Sequence, residues 1–119
     1  MTVTLNLPYP PTVNHYWRHT RGNTFIGEKG RAYRFAVVNA CVAARAPWVA
    51  GKVCVEVDVY PPDKRRRDLD NVLKALLDSI VHAQVIRDDS LIDRLVVTRK
   101  PDNEARVQVR ITPYAMEAT

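Results

Sequence analysis

A chain of 119 residues, 46% hydrophobic and 26% charged, fits one folded domain spanning 1–119 and leaves little interior for an elaborate pocket. Its net charge of +5 favours a polyanionic partner, nucleic acid first, and no small-molecule substrate is expected. The N-terminus lacks the basic-then-apolar layout of a signal peptide, and no apolar run approaches the ~20 residues of a membrane span. Cys41 and Cys54 lie in apolar patterns without metal-ligand spacing, which favours buried, reduced thiols. The sequence therefore predicts a cytoplasmic protein that makes no contact with a membrane.

The first part of the chain predicts a strand, a long loop and a helix. Residues 3–7, VTLNL, alternate between apolar and polar side chains, which is typical of a half-buried strand. The prolines of the next segment, PYPPTVNHYWRHTRGNT (8–24), predict a loop without regular structure, and its length and aromatic content favour a functional role. Apolar residues at spacings of three and four then predict a helix over 28–45, which Pro47 ends.

The second part of the chain carries the clearest periodic patterns. VCVEVDVY (53–60) alternates strictly and predicts a strand, which two prolines stop. Residues 69–81 match helical spacing throughout and predict a second helix with Asp68 as its N-cap. DRLVVTRK (93–100) and ARVQVRI (105–111) predict two closing strands, which PDNE joins as a hairpin turn.

This order of elements predicts an α+β fold. A two-layer sandwich fits it, with a small mixed β-sheet and two main helices on one face. The strand–helix–strand portions predict parallel pairs, and the last two strands predict an antiparallel pair. The order of the strands within the sheet does not follow from the sequence.

Four carboxylates accompany the second helix. Asp68 and Asp70 stand at its start, and Asp88 and Asp89 follow in the connection to the next strand. Hard oxygen ligands on the ends of rigid elements suit Mg²⁺, so this pattern is consistent with a metal site. Ordinary structural roles also explain parts of it, because Asp is common at helix N-caps and in turns.

A polar stripe on the same helix has two interpretations. Asp70, Lys74 and Asp78 recur at every fourth residue, apart from the apolar face. One interpretation is a solvated ladder of ion pairs. The other is that Lys74 acts beside the acids, where it would orient a water or offset charge that grows on phosphoryl oxygens.

Clustered cations provide candidate DNA contacts. Lys64, Arg65, Arg66 and Arg67 run directly into the first two acids, and cations beside metal-binding carboxylates are typical of a phosphodiester hydrolase. A solvated charged surface is the alternative. A second group lies in the first loop and comprises Asn14, His15, Tyr16, Trp17, Arg18 and Arg21. An aromatic ring of this group would stack on an unpaired base, with core packing as the alternative for Trp17.

Four motifs are spread along nearly the whole chain: LPYPPTVNHYWRH near the start, GRAYR at the opening of the first helix, RRRDLDNVLKALLD and VIRDDSLI. Together they resemble the RusA family of Holliday junction resolvases. The third motif is the most specific. The resemblance implies a homodimer that depends on Mg²⁺, with Mn²⁺ as an alternative, and that resolves four-way DNA junctions by paired symmetric nicks in recombination and repair.

The resemblance also implies roles for individual residues. Asp68, Asp70 and Asp89 match the metal-binding acids of the family, and Lys74 matches a catalytic lysine. Asp88 is the companion acid and ranks below them. Two departures stand out. Gly27 occupies a position that is often Ser, and the turn PDNEA is short and acidic where a longer basic loop is expected.

Other functions fit the same residues. A basic module could bind nucleic acid without cutting it and use the acids only as caps. A different Mg²⁺-dependent nuclease that acts on branched DNA would use the same site. A small assembly protein that binds no nucleic acid is the third alternative. The homodimer follows from the junction itself, because two matched nicks need two acidic clusters related by two-fold symmetry.

Overall fold

The computed structural model describes residues 2–12, 16–20 and 23–114, with backbone alone at 18–20 and 23–25. In chain order its elements are β1 (Val3–Pro8), β2 (Trp17–Thr20), β3 (Asn23–Ile26), α1 (Glu28–Ala43), β4 (Val53–Tyr60), α2 (Asp70–His82), a 3₁₀ turn (Asp89–Leu91), β5 (Ile92–Arg99) and β6 (Arg106–Pro113). The predicted strands and helices are confirmed. Within the described ranges, no helix combines the length and the apolar character that a membrane crossing requires.

The main sheet is mixed and has the strand order β1-β6-β4-β5. β6 runs antiparallel to both β1 and β4, whereas β4 and β5 are parallel and are connected through α2. The predicted parallel pair across α2 is therefore confirmed, and the one predicted across α1 is wrong, because β6 lies between β1 and β4. The predicted hairpin of the last two strands is wrong, because β4 lies between them.

The connection that was predicted as a turn instead crosses the end of β4. The backbone N–H of Lys100 donates to the carbonyl of Val59 at 2.8 Å, and that of Ala105 donates to Pro61 at 3.3 Å. β4 occupies the centre because its valine face is buried and both of its edges are hydrogen-bonded to neighbours. This crossover brings the end of β5 close to the loop that leads into α2.

The first loop is shorter than predicted. β2 and β3 form an antiparallel pair with Trp17 opposite Ile26 and Thr20 opposite Asn23. The expectation that 8–24 has no regular structure is therefore wrong at Trp17–Thr20 and at 23–24, and also at Pro8, which ends β1. The prolines that motivated it lie at 8, 10 and 11, ahead of the paired residues, so they do not remove donors from this ladder.

One apolar core joins the sheet to both helices. The alternating valines of β4 are at most 2% exposed, and they form a single cluster with buried side chains from β1, β6 and the two helices. The helical members are Tyr33, Val37, Cys41, Val72, Leu76 and Ile80. Because both helices cover the same valine face, the predicted α+β fold with a mixed sheet and two helices is confirmed.

Both cysteines are free, as predicted. Cys41 is buried on α1, and this burial raises the pKa of its thiol. Cys54 is partly exposed on β4, so its predicted burial is wrong. A buried thiol with a raised pKa is a packing residue rather than a nucleophile.

Gly30 marks a close approach between α1 and the first loop. A Cβ at this position would lie 2.5 Å from the carbonyl oxygen of Tyr16 and 2.7 Å from Cγ2 of Ile26. We expect Gly30→Ala to destabilise the protein by about 1–3 kcal/mol, because overpacking against backbone outweighs the ~1 kcal/mol that alanine gains in a helix. Urea denaturation measures the difference.

The neighbouring substitution Lys29→Ala is the control for Gly30→Ala. Lys29 is exposed on the same turn of α1, so its loss should change the free energy of unfolding by less than about 0.5 kcal/mol. A Gly30→Ala protein as stable as the wild type would show that the two backbones do not approach this closely.

Candidate active site

The polar stripe of α2 opens into a pocket. Asp70, Lys74 and Asp78 line it together with Leu73 and Leu77, and its volume is about 290 Å³. Asp89 reaches the same pocket from the 3₁₀ turn that follows α2. The fold therefore brings together two of the three predicted metal ligands and the predicted catalytic lysine. We call this space the acidic pocket.

Asp68 lies in a neighbouring pocket of about 410 Å³, which we call the basic pocket. The four predicted DNA-binding cations, Lys64, Arg65, Arg66 and Arg67, all line it. Two further cations, Arg99 and Lys100, reach it from the end of β5. They were missed from sequence because their position depends on the strand order. Its six cations outnumber Asp63 and Asp68, which suits a polyanion.

The predicted N-cap role of Asp68 is wrong. α2 begins at Asp70 with Leu69 in the N-cap position, and no side chain caps the helix. Asp68 contributes only its backbone carbonyl, which accepts from the N–H of Asn71 at 3.3 Å. The exposed carboxylate of Asp68 therefore does not cap α2.

The three predicted ligands do not converge within one chain. Across the parts of the chain that the structure describes, no group of three or more His, Cys, Asp or Glu side chains lies close enough to share a metal ion. Asp70 and Asp89 face one pocket and Asp68 faces the other. The half-buried Leu69 separates Asp68 from Asp70 along the chain.

Asp63 organises part of the basic pocket. Its carboxylate accepts hydrogen bonds from Arg67 Nη1 at 2.6 Å and from the backbone N–H of Arg65 at 2.8 Å. These bonds, with that of Arg67 foremost, hold the pKa of Asp63 well below its usual range. The side chains of Lys64 and Arg66 are exposed and make no hydrogen bond or ion pair to any described residue. These two cations are therefore the ones most open to a phosphate.

The structure changes the interpretation of the first loop. Tyr16 is fully buried, so its predicted stacking on a DNA base is wrong. Trp17 is half-buried and packs edge-on against Tyr16, with ring centroids 5.3 Å apart, which favours the packing alternative. Arg18 lies on β2, where the structure describes only the backbone. Asn14, His15 and Arg21 lie outside the described residues.

Tyr16 instead joins a network that reaches the acidic pocket. Its hydroxyl donates to Asp78 Oδ2, and Arg34 Nη2 donates to the same oxygen at 2.5 Å. Burial raises the pKa of Tyr16, and the hydrogen bond to Asp78 raises it further, so the phenol remains a donor at neutral pH. Arg34 was not predicted as a site residue, because nothing in the spacing of α1 shows which side chain of α2 it meets.

Asp88 and Asp89, at the start of the 3₁₀ turn, line different pockets. Asp88 accepts a hydrogen bond from Ser90 Oγ, which lowers the pKa of its carboxyl group. It lines a pocket of about 440 Å³ with Trp48 and Arg87 rather than the acidic pocket. Asp89 alone of this pair faces Asp70 and Lys74.

An acidic pocket along α2, with a strongly basic pocket at the start of the same helix, is consistent with an enzyme that cuts nucleic acids. Comparison with known proteins agrees that the chain is a nuclease. The family model described as Endodeoxyribonuclease RusA matches residues 8–112. The chain therefore belongs to the RusA family of endodeoxyribonucleases.

Individual relatives support the same assignment. The chain is 36% identical over 118 residues to the crossover junction endodeoxyribonuclease RusA of Escherichia coli K12, with 98% of each chain covered. The protein of the same name from Shigella sonnei gives the same values. The corresponding protein of Enterobacteria phage HK97 is 40% identical over 94 residues, which is 78% of each chain.

Proposed function

We propose that this protein is a divalent-metal-dependent endodeoxyribonuclease that resolves four-way DNA junctions by paired nicks. Mg²⁺ is the proposed cofactor, and Mn²⁺ is an alternative. The observation that carries the proposal is the acidic pocket, where Asp70, Asp89 and Lys74 meet beside a basic pocket. Its RusA relatives are named crossover junction endodeoxyribonucleases, which supports the junction-cutting part of the proposal.

The carboxylates of Asp70 and Asp89 in the acidic pocket fit a hard divalent ion. Asp70 and Asp89 form no ion pair with any described residue, unlike Asp78, which is bound to Arg34. Their oxygens would hold the ion. Asp68, the third ligand predicted from the sequence, lines the basic pocket and does not converge with these two carboxylates in this structure. When bound, the ion would supply Lewis-acid polarisation of the scissile phosphodiester.

Lys74 is suited to act on the scissile phosphate itself. It is exposed, lies one turn after Asp70, and forms no ion pair within the described part of the chain. The interpretation of the stripe as an ion-pair ladder therefore does not apply to Lys74 in this structure. We propose that its ammonium group offsets the negative charge that grows on the phosphoryl oxygens during cleavage.

The basic pocket would hold the phosphates beside the cut. Lys64 and Arg66 project from its exposed side, while Arg65 and Arg67 are fixed by Asp63. A run of phosphates bound here would lead the DNA strand past Asp68 toward the acidic pocket. The opposite charges at the entrance of α2 then have separate roles, because the cations bind the DNA and the acids bind the metal.

A homodimer would account for paired nicks. Each described chain offers one acidic pocket, and symmetric cuts in opposing strands of a junction need two. We propose that two copies related by a two-fold axis bind one junction. Analytical ultracentrifugation of the bound complex measures the stoichiometry.

The test of the proposed function is cleavage of a synthetic four-way junction. We expect two symmetric nicks with 5′-phosphate and 3′-hydroxyl ends in Mg²⁺ and none in EDTA, because the carboxylates alone cannot polarise the phosphodiester. Duplex and flap substrates of the same sequence serve as controls and should be cut far more slowly. Junction binding without cleavage in either metal would favour a non-catalytic module, and equal cleavage of all three substrates would favour a general nuclease.

A further inference from the structure

Asp78 is the one acid of the acidic pocket that is not a proposed metal ligand, and its carboxylate is hydrogen-bonded to side chains of its own chain. Arg34 on α1 donates to Asp78 Oδ2 through Nη2 at 2.5 Å and through Nε at 3.1 Å. Tyr16 donates to the same oxygen and accepts from Arg34 Nε at 2.8 Å. Asp78 is therefore neutralised by one cation and held by a second donor.

The same acid is a close neighbour of Lys74. The two residues are four apart on α2 and line one pocket. Side chains at this spacing are in reach of each other, so a free carboxylate at 78 would attract the ammonium of Lys74. In the structure Asp78 is engaged by Arg34, and Lys74 has no ion-pair partner among the described residues.

We propose that Arg34 and Tyr16 are positioning residues that neutralise and immobilise Asp78, so that Lys74 stays available to the DNA phosphate. This inference rests on the proposed function. Asp78 is then neither a metal ligand nor a catalytic residue. Because Arg34 and Tyr16 engage its carboxylate, Asp78 does not pair with Lys74. The acidic pocket then presents the carboxylates of Asp70 and Asp89 and the ammonium group of Lys74.

Electrostatics explains why an unoccupied Asp78 would be harmful. Its side chain is 28% exposed, so its charge is only partly screened by solvent. Without Arg34 this charge would compete for Lys74 and repel the incoming phosphate. The hydroxyl of Tyr16 alone cannot replace the cation, because a protonated phenol carries no charge to offset the carboxylate.

The network is anchored by the packing around Tyr16. The N–H of Gly27 donates to the Tyr16 carbonyl at 2.9 Å, directly before α1 begins. Gly30 lies against the same carbonyl, which no side chain at that position would permit. Burial alone would lower the pKa of Arg34, but its hydrogen bonds to Asp78 and Tyr16 outweigh burial and raise it. The guanidinium of Arg34 on α1 is therefore held in place by Asp78 of α2 and by the hydroxyl of Tyr16.

A suppressor experiment tests the proposal. Arg34→Gln should slow single-turnover junction cleavage by about tenfold or more, because it frees the charge of Asp78. Asp78→Asn alone should cut within about threefold of wild type, and the Arg34→Gln/Asp78→Asn double variant should recover to the rate of Asp78→Asn. Arg34→Lys, which keeps the cation, should retain most of the activity.

Arg31→Gln is the matched control for the loss of charge from α1. Arg31 lies one turn earlier and donates to the carbonyl of Ile26 rather than to Asp78, so its loss should leave the cleavage rate unchanged. A double variant that is as slow as Arg34→Gln would overturn the proposal. So would an Asp78→Asn protein as inactive as Asp70→Asn, since Asp78 would then act directly.

A stability check and a second variant keep the result interpretable. Thermal unfolding shows whether Arg34→Gln is folded at the assay temperature. If it is not, Tyr16→Phe removes a donor to Asp78 while keeping the ring, and its smaller loss of about threefold should vanish in the Asp78→Asn background. Persistence of that loss in the double variant would contradict the proposal.

A spectroscopic measurement separates this inference from the proposed function. In side-chain ¹H–¹⁵N spectra, a slowly exchanging ammonium signal from Lys74 should appear in Arg34→Gln and be absent from both the wild type and the double variant. This readout needs no DNA cleavage. A wild-type protein that cuts no junction would refute the proposed function, whereas failure of the Lys74 signal to respond to Arg34→Gln would refute the inference.

Discussion

Asp70→Asn is expected to lower the rate of four-way junction cleavage by about 10³-fold in Mg²⁺. Asp70 lies at the first residue of α2 and faces Lys74 and Asp89 in the acidic pocket. An amide is nearly the same size as a carboxylate but carries no charge to hold the ion, so the loss should fall on the chemical step. Single-turnover rates measure this loss directly.

Junction affinity separates a catalytic role for Asp70 from a structural one. Asp70→Asn should bind the junction at least as tightly as wild type, because it removes a negative charge near phosphates. Asp93→Asn is the control, since Asp93 is an exposed acid that pairs with Lys52 at 3.5 Å and lines neither the acidic nor the basic pocket. Full activity of Asp70→Asn would remove the metal model, and equal losses in both variants would show that general charge matters rather than this site.

Lys74→Met should reduce the cleavage rate constant by about 10²-fold with little change in junction affinity. The proposed ammonium contact strengthens as charge accumulates on the phosphoryl oxygens, so its removal should raise the barrier more than it weakens ground-state binding. Methionine keeps the unbranched side chain against Leu73 and Leu77 of the same pocket. The measurements are single-turnover rates at saturating enzyme and binding titrations in EDTA.

Two comparisons define the role of Lys74. Lys74→Arg keeps the charge and should recover part of the lost rate, while Lys52→Met removes a cation outside both pockets and should have no effect. If Lys74→Met instead loses affinity to the same extent as rate and keeps its rate constant at saturation, Lys74 contributes uniform binding and is not catalytic.

The regular elements of this fold could be predicted from local pattern. The alternating valines of β4 and the apolar residues of α2, spaced three and four apart, each indicate which face is buried. The structure confirms both elements. The acids at the start of α2 and the acidic pair after it were also recognisable, since resemblance to the RusA family depends on short contiguous motifs. Asp70, Lys74 and Asp89 do meet in one pocket.

Local patterns did not predict which strands pair or which side chains contact each other. The prediction of a closing hairpin was wrong because adjacency in sequence favours it, whereas β6 pairs with β1 and β4 instead. Tyr16 was misassigned to DNA stacking because an aromatic residue among prolines and cations has no periodicity to show that it is buried. Arg99 and Lys100 were missed because their place beside the basic pocket depends on the strand order. Arg34 was missed because its partner lies on another helix.

The sequence by itself determined four of the strands, both helices, their buried faces and the family motifs, because these depend on side-chain chemistry at short spacing. Only the tertiary structure decided the strand order, the separation of Asp68 from Asp70 and Asp89, and the engagement of Asp78 by Arg34. The physical reason is that backbone hydrogen bonds join strands through groups that nearly every residue carries. The choice of neighbour therefore depends on how the whole chain packs its core, and contacts between elements follow from that choice.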